Sequence, residues 1–207
     1  MALFDPSWVT VPDAIFRSAL PDKGTATTVQ LHRVLIRALS SSLSEIPDEE
    51  TLKQKPLIVK TELPLPHSLR FYIYNATQHA SERQLGTFKI QLTSGIQKVV
   101  EGSSRYEFDR SLGVRPIVVG YHLELDVFIL WDTDLHDAGA GFPFSKSIQA
   151  PPEVVFGALS AGLAEGERRL KGMRVSETIV CARPARLVEA LSLRLQRSTE
   201  TLLKGGI

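Results

Sequence analysis

The chain contains a single cysteine, Cys181, among its 207 residues. That excludes an internal disulfide and any cysteine-based zinc cluster built from this sequence. No apolar run approaches the roughly 20 residues that a membrane helix requires. The opening stretch, MALFDPSWVTVPD, has no basic segment followed by an apolar one, so it is not a secretory signal. No sign of charge is in excess either: 24 Lys and Arg stand against 23 Asp and Glu, a net charge of +1. A phosphate-binding protein usually carries a basic excess, so any such surface here must arise from uneven placement of charge. The expected setting is cytoplasmic, with no membrane partner.

What is present suits a globular core. Hydrophobic residues make up 43% and charged residues 23%, enough for a chain of this length to fold without disulfides or metal. Thr27 and Thr28 precede Leu31, Val34, Leu35, Ala38, Leu39 and Leu43, whose spacing predicts a helix over 28–44 with one apolar face. Alternating or apolar runs predict strands over 57–61, 69–75, 86–93, 116–122 and 125–132. A short hairpin-like turn follows His122. The Gly- and Pro-rich stretch 137–145 reads as a loop. Pro151 and Pro152 open a second helix, closed by the basic run Arg168, Arg169, Lys171 and Arg174, which suits a helix C-terminus. A last strand over 177–182 and a helix from Pro184 complete the pattern. The expected fold is α+β: a twisted, mainly antiparallel sheet, able to curl toward a barrel, flanked by about three helices. We expect one domain over 1–207, helical in 1–65, with the sheet core and C-terminal helices in 66–207.

Several chemistries fail on their own terms. A common metal-dependent nuclease needs an acid two positions before a lysine, the acid for the metal and the lysine for the water. No Asp or Glu here has Lys at that spacing; at Lys89 the place is held by Thr87. The five histidines form no helix-spaced pair, and neither a P-loop nor a Gly-x-Ser-x-Gly elbow occurs. Cys181, inside Thr-Ile-Val-Cys-Ala, reads as a small buried hydrophobe. Asp126 and Asp132 share strand parity, with Asp134 and His136 following. They form either an acidic site or a set of turn caps and ion-paired groups.

The best surface for nucleic acid is the polar side of two strands. Arg70, Tyr72, Tyr74, Lys89 and Gln91 share a face if those strands are neighbours in register. Tyrosines stack on bases, lysine neutralises phosphate, and glutamine reads an adenine edge. The alternative is an ordinary solvated face. Arg83 lies in the intervening loop. Ser145, Lys146, Ser147 and Gln149 form a second polar, phosphate-friendly stretch.

One ordered set of residues carries a resemblance. Tyr74-Asn75, Arg83 and Phe88-Lys89-Ile90-Gln91 come first, then Gly120-Tyr121, Leu125-Asp126-Val127-Phe128 and Trp131-Asp132. His136, Ser145, Gln149 and Ala182-Arg183-Pro184 follow. This set, spanning about residues 70–195, resembles the methylase-associated domain of bacterial restriction-modification systems. The resemblance implies DNA recognition and marks Arg83, Lys89, Gln91, Asp126, Trp131, Asp132, His136, Ser145 and Gln149. That family carries an acid where Thr87 stands, so cleavage does not follow from the likeness.

Three functions remain open at this point. The favoured one is a DNA-binding domain of a restriction or anti-phage system, reading a sequence or a modified base without cofactor or metal. In it, Tyr74 or Trp131 stacks on a flipped base, and Asp126 or Asp132 accepts from its amine. The expected partners are double-stranded DNA, a nuclease or methylase, and a second copy of the chain. The second is a divergent restriction endonuclease using Mg2+ with Asp126, Asp132 and Lys89. The third is a protein-interaction module acting through the apolar faces of the first and last helices.

Overall fold

In the computed structural model, residues 7–78, 86–137, 139–170 and 175–204 are described. Arg83, Lys171 and Arg174 lie outside them. Two short helices, α1 (Ser7–Thr10) and α2 (Asp13–Ser18), precede α3 (Thr28–Ala38). Thr27 caps it through a capping box: its hydroxyl accepts from the Gln30 N–H while the Gln30 side chain accepts from the Thr27 N–H. The helix stops at Ala38, short of residue 44. Ser40–Ser42 form a 3₁₀ turn instead, because serine hydroxyls compete for backbone partners and weaken a helix.

Strands β1 (Leu57–Lys60) and β2 (Ser68–Asn75) pair antiparallel. The chain then leaves the main sheet for β3 (Thr77–Gln78), β4 (Phe88–Leu92), β5 (Ile96–Val100) and β6 (Ser103–Glu107). It returns as β7 (Arg115–His122), parallel to β2, and turns into β8 (Val127–Trp131). A short helix α4 (Thr133–His136) leads to β9 (Phe142–Pro143) and β10 (Lys146–Ala150). Helix α5 (Pro152–Ala161), β11 (Leu163–Arg169), β12 (Ser176–Ala182) and α6 (Leu187–Leu203) finish the order.

The fold is α+β, with three longer helices among the described residues. The strands form a six-stranded sheet, β1-β2-β7-β8-β12-β11, and two three-stranded sheets, β10-β4-β3 and β5-β6-β9. None closes, so the sheets stay open and do not curl into a barrel. The basic run at Arg168 and Arg169 is corrected, since it lies in β11 and not at a helix end. Gly162, at φ +82°, terminates α5 and donates its N–H to the Ala158 carbonyl. That left-handed C-terminal geometry is what glycine permits.

The central sheet is covered on both faces. On one side Leu69, Phe71 and Ile73 pack with Leu31, Leu35, Leu187 and Leu191 of α3 and α6. On the other, Tyr72, Tyr74, Ile129 and Trp131 pack with Phe88 and Ile90 of β4 and Val155 of α5. The apolar faces of α3 and α6, offered above as assembly surfaces, are therefore committed to this core. Each large apolar side chain so buried contributes about 1.5–3 kcal/mol.

His32, fully buried on α3, donates Nδ1–H to the Leu52 carbonyl at 2.7 Å, and its Nε2 is buried with no hydrogen-bond partner. Burial pushes its pKa below the ordinary 6.5. His122 is likewise lowered by burial, and its Nδ1 accepts from the Leu125 N–H. The unfolded chain thus takes up protons at a pH where the folded chain does not. Stability should be complete above about pH 6.5 and fall as pH drops below it, by up to about 1.4 kcal/mol per pH unit for each histidine. Urea midpoints from pH 7.5 to 5.5 check this: the slope should be shallower in His32→Asn, and an unchanged slope would refute the assignment.

Candidate nucleic-acid interface

The strands expected to share one polar face do not lie in one sheet. Tyr72 and Tyr74 of β2 are buried in the second core, beneath β4. Tyr74 is the inner wall of a cleft, with Lys55 Nζ over its ring at 4.3 Å from the centroid. Burial pushes the Tyr74 hydroxyl up to about 12 and the Lys55 ammonium down. Arg70 is also buried, its guanidinium paired with Asp109 at 2.9 Å. A solvated Tyr72–Tyr74 stacking surface is thereby corrected. Phenol rings are large apolar bodies and fill a two-sided core readily.

The second polar stretch and the Lys89 strand do converge. β10 runs antiparallel to β4 with Ser147 opposite Gln91 and Gln149 opposite Lys89, while Thr77 of β3 faces Lys89 from the other side. Alternation then sorts the faces. Phe88, Ile90, Leu92, Ile148 and Ala150 point into the core, while Lys89, Gln91, Ser147 and Gln149 point out, half to fully exposed. Ser145 donates its hydroxyl to Gln91 Oε1 at 3.3 Å. Lys146 has the opposite parity: its ammonium turns inward to the His136 carbonyl at 2.8 Å, and burial lowers its pKa.

This face continues into the cleft beside it, about 270 Å³ in volume, where Lys89 and Gln91 meet Lys55, Tyr74 and the residues leading into α3. Asn75 closes one end, its amide exchanging two 2.8 Å hydrogen bonds with the Ala26 backbone. No acidic residue occurs in β3, β4 or β10, nor among the residues that line the cleft. Acidic residues concentrate elsewhere, as in Glu45, Glu49 and Glu50, which pair with Lys60, Arg33 and Lys53.

The remaining expected site residues lie in two other places. Asp132, His136 and Trp131 are buried. Asp132 pairs with Arg194 of α6 at 2.8 Å, and burial raises its pKa while Arg194 opposes the rise. Glu177 Oε1 accepts from the Asp132 N–H at 2.9 Å and from His136 Nε2 at 2.8 Å. Trp131 donates its indole N–H to the Gln149 carbonyl at 2.9 Å, and its ring lies against Gly120, where any Cβ would meet it at 2.9 Å. None of these three can touch a ligand without the core opening. Asp126 sits in the β7–β8 turn at φ +54°, paired with Arg17, and it accepts from the Tyr121 hydroxyl at 2.8 Å. An ion-paired aspartate is what its sequence setting required.

Asp126 and Asp132 flank β8 at opposite ends, on the order of 20 Å apart at strand rise, and Lys89 belongs to a different sheet. The Asp126–Asp132–Lys89 nuclease constellation is not assembled, and those residues do not fit a shared Mg2+. Among the described residues no group of three or more His, Cys, Asp or Glu could hold a metal ion. No helix among them is long and apolar enough to cross a membrane.

Two exposed aromatics were missed, Phe156 on α5 and Phe144. Phe144, at the turn between β9 and β10, is 59% exposed beside Ser145. Its only sequence signal was its place in a Gly- and Pro-rich loop. The model of the Methylase-associated X1 family matches residues 67–191, from the start of β2 into the first turn of α6. No curated protein and no solved structure matches the chain. The match takes in every strand from β2 to β12, including the whole β3–β4–β10 face, and ties the chain to methylases of restriction-modification systems. The chain belongs to the Methylase-associated X1 family.

Proposed function

We propose that the chain is a DNA-binding domain that serves a methylase-linked restriction-modification system. The observation carrying this reading is the β3–β4–β10 face: lysine, glutamine and serine side chains gathered on one rigid surface whose strands hold no carboxylate. Lys89, with Lys55 in the adjoining cleft, supplies the charge that phosphates require. Gln91 and Gln149 can pair with base edges. A strand-borne face holds such groups in fixed spacing, as recognition demands.

Binding to matched duplexes, unmodified and methylated, at two salt concentrations tests it. Lys89→Ala should weaken binding to all duplexes alike and lower the slope of log K against log salt by about 0.9, the value for one lost phosphate contact. Gln91→Ala should instead level differences between sequences. No duplex binding by the wild-type chain at low salt would overturn the reading.

A further inference from the structure

Resting on the reading above, the structure assigns Phe144 a role in it: the ring stacks on an unpaired nucleobase, so the domain prefers DNA that offers one. The aromatic side chains expected for this task, Tyr74 and Trp131, are buried. Phe144 is the end of a ring ladder that starts in the core. Tyr72 meets Phe108 at 4.9 Å, Phe108 meets Phe142 at 4.9 Å, Phe142 meets Tyr106 at 6.2 Å, and Tyr106 meets Phe144 at 5.5 Å. Every inner ring is wholly or partly buried, and the outermost is open to solvent.

Three features direct that open ring toward a base. First, Tyr106 backs it, so it is braced from behind and would hold its place under a stacked ligand. Second, the next residue, Ser145, holds Gln91 through its hydroxyl, which puts the ring beside the polar face. Third, Ser145 takes φ +62°, a conformation costly for a serine, and it is at this residue that the chain passes from β9 into β10. A phenyl group left in water at the Gln91 end of the polar face, with Lys89 farther along the same strand, suits a flat partner that carries polar edges and phosphate, which is a nucleotide. Within an intact duplex the base faces are already stacked, so the ring requires a base at a mismatch, a bulge or a single-stranded stretch.

The test compares a matched duplex, the same duplex with one mismatch, and a single strand, using the wild type, Phe144→Ala, Phe144→Tyr and Lys89→Ala. The wild type should prefer the mismatched over the matched duplex about tenfold or more, and Phe144→Ala should erase that preference. Phe144→Tyr should restore it, because the ring is kept. The salt slope should change in Lys89→Ala and not in Phe144→Ala, since stacking displaces no counterion. Phe144 is exposed, so its variants should unfold at the wild-type denaturant midpoint. If Phe144→Ala binds all three DNAs like the wild type while Lys89→Ala is weakened, stacking is wrong and the DNA-binding face stands. If the wild type binds none of them, the DNA reading itself fails.

Discussion

Arg194→Met should lower the free energy of unfolding by about 3–5 kcal/mol, the usual consequence of leaving one partner of a buried ion pair uncompensated. Arg194 is 2% exposed, and its guanidinium reaches Asp132 and the Thr178 carbonyl from α6. Without it, Asp132 keeps its burial and loses the cation that opposes the rise in its pKa. The sign of the pH dependence follows. A carboxylic acid whose folded pKa lies above the ordinary 3.8 is ionised in the unfolded chain while still protonated in the folded one. Stability therefore falls as pH rises through that window. The loss in Arg194→Met should be greater at pH 8 than at pH 5. The double variant Asp132→Asn/Arg194→Met should regain part of the stability and lose the pH effect. Urea unfolding at both pH values checks this, and a loss below about 1 kcal/mol for the single variant would contradict a buried, paired charge.

The second large effect is expected at Trp131. Trp131→Ala should cost about 3–5 kcal/mol, because it opens a cavity where strand β8 packs under β4. The ring is fully buried against Gly120. Trp131→Phe should cost much less, since most of the volume is kept. The Gln149 carbonyl, which accepts from the indole, also accepts from Arg168 Nη1 at 2.6 Å and so keeps a partner. Calorimetry of the two variants separates volume from hydrogen bonding. Duplex binding by Trp131→Phe should match the wild type, because the ring meets no solvent; weakened binding by a folded Trp131→Phe would return Trp131 to the interface.

The positions and periods of the elements were largely legible in the residues. Phe88, Ile90 and Leu92 alternate with polar neighbours and form β4. Thr27 with Gln30 begins α3, and Pro152 opens α5. Neighbour relations were not legible, since period-two alternation tells which residues share a face and not which strand lies alongside. β2 and β4 therefore read as one surface, although β4 lies across β2 in a separate layer. Tyr72 and Tyr74 counted as polar for their hydroxyls, and the core took them for their rings. β11 was hidden because its charges, Glu165, Glu167 and Arg169, alternate with small or half-buried residues on an edge strand. Of the candidate site, Lys89, Gln91, Ser145 and Gln149 were legible as polar residues in strand-like stretches. Their meeting depended on the β4–β10 register, and Phe144 was hidden by its loop.

The parallel pairing of β2 with β7 has a consequence for how the chain assembles. Leu69 lies opposite Arg115, and the whole excursion through β3, β4, β5 and β6 is inserted between them. The next contact of the sheet, β8 with β12, reaches from Ile129 to Cys181. Such pairings close long loops before they gain contacts, and folding slows as sequence separation grows. During synthesis, β8 has only one neighbour until the C-terminal strands emerge, and β4 lacks β10 until the segment after α4 is made. The β4–β10 face, split between residues near 90 and residues near 148, is therefore completed late, once most of the chain has been synthesised.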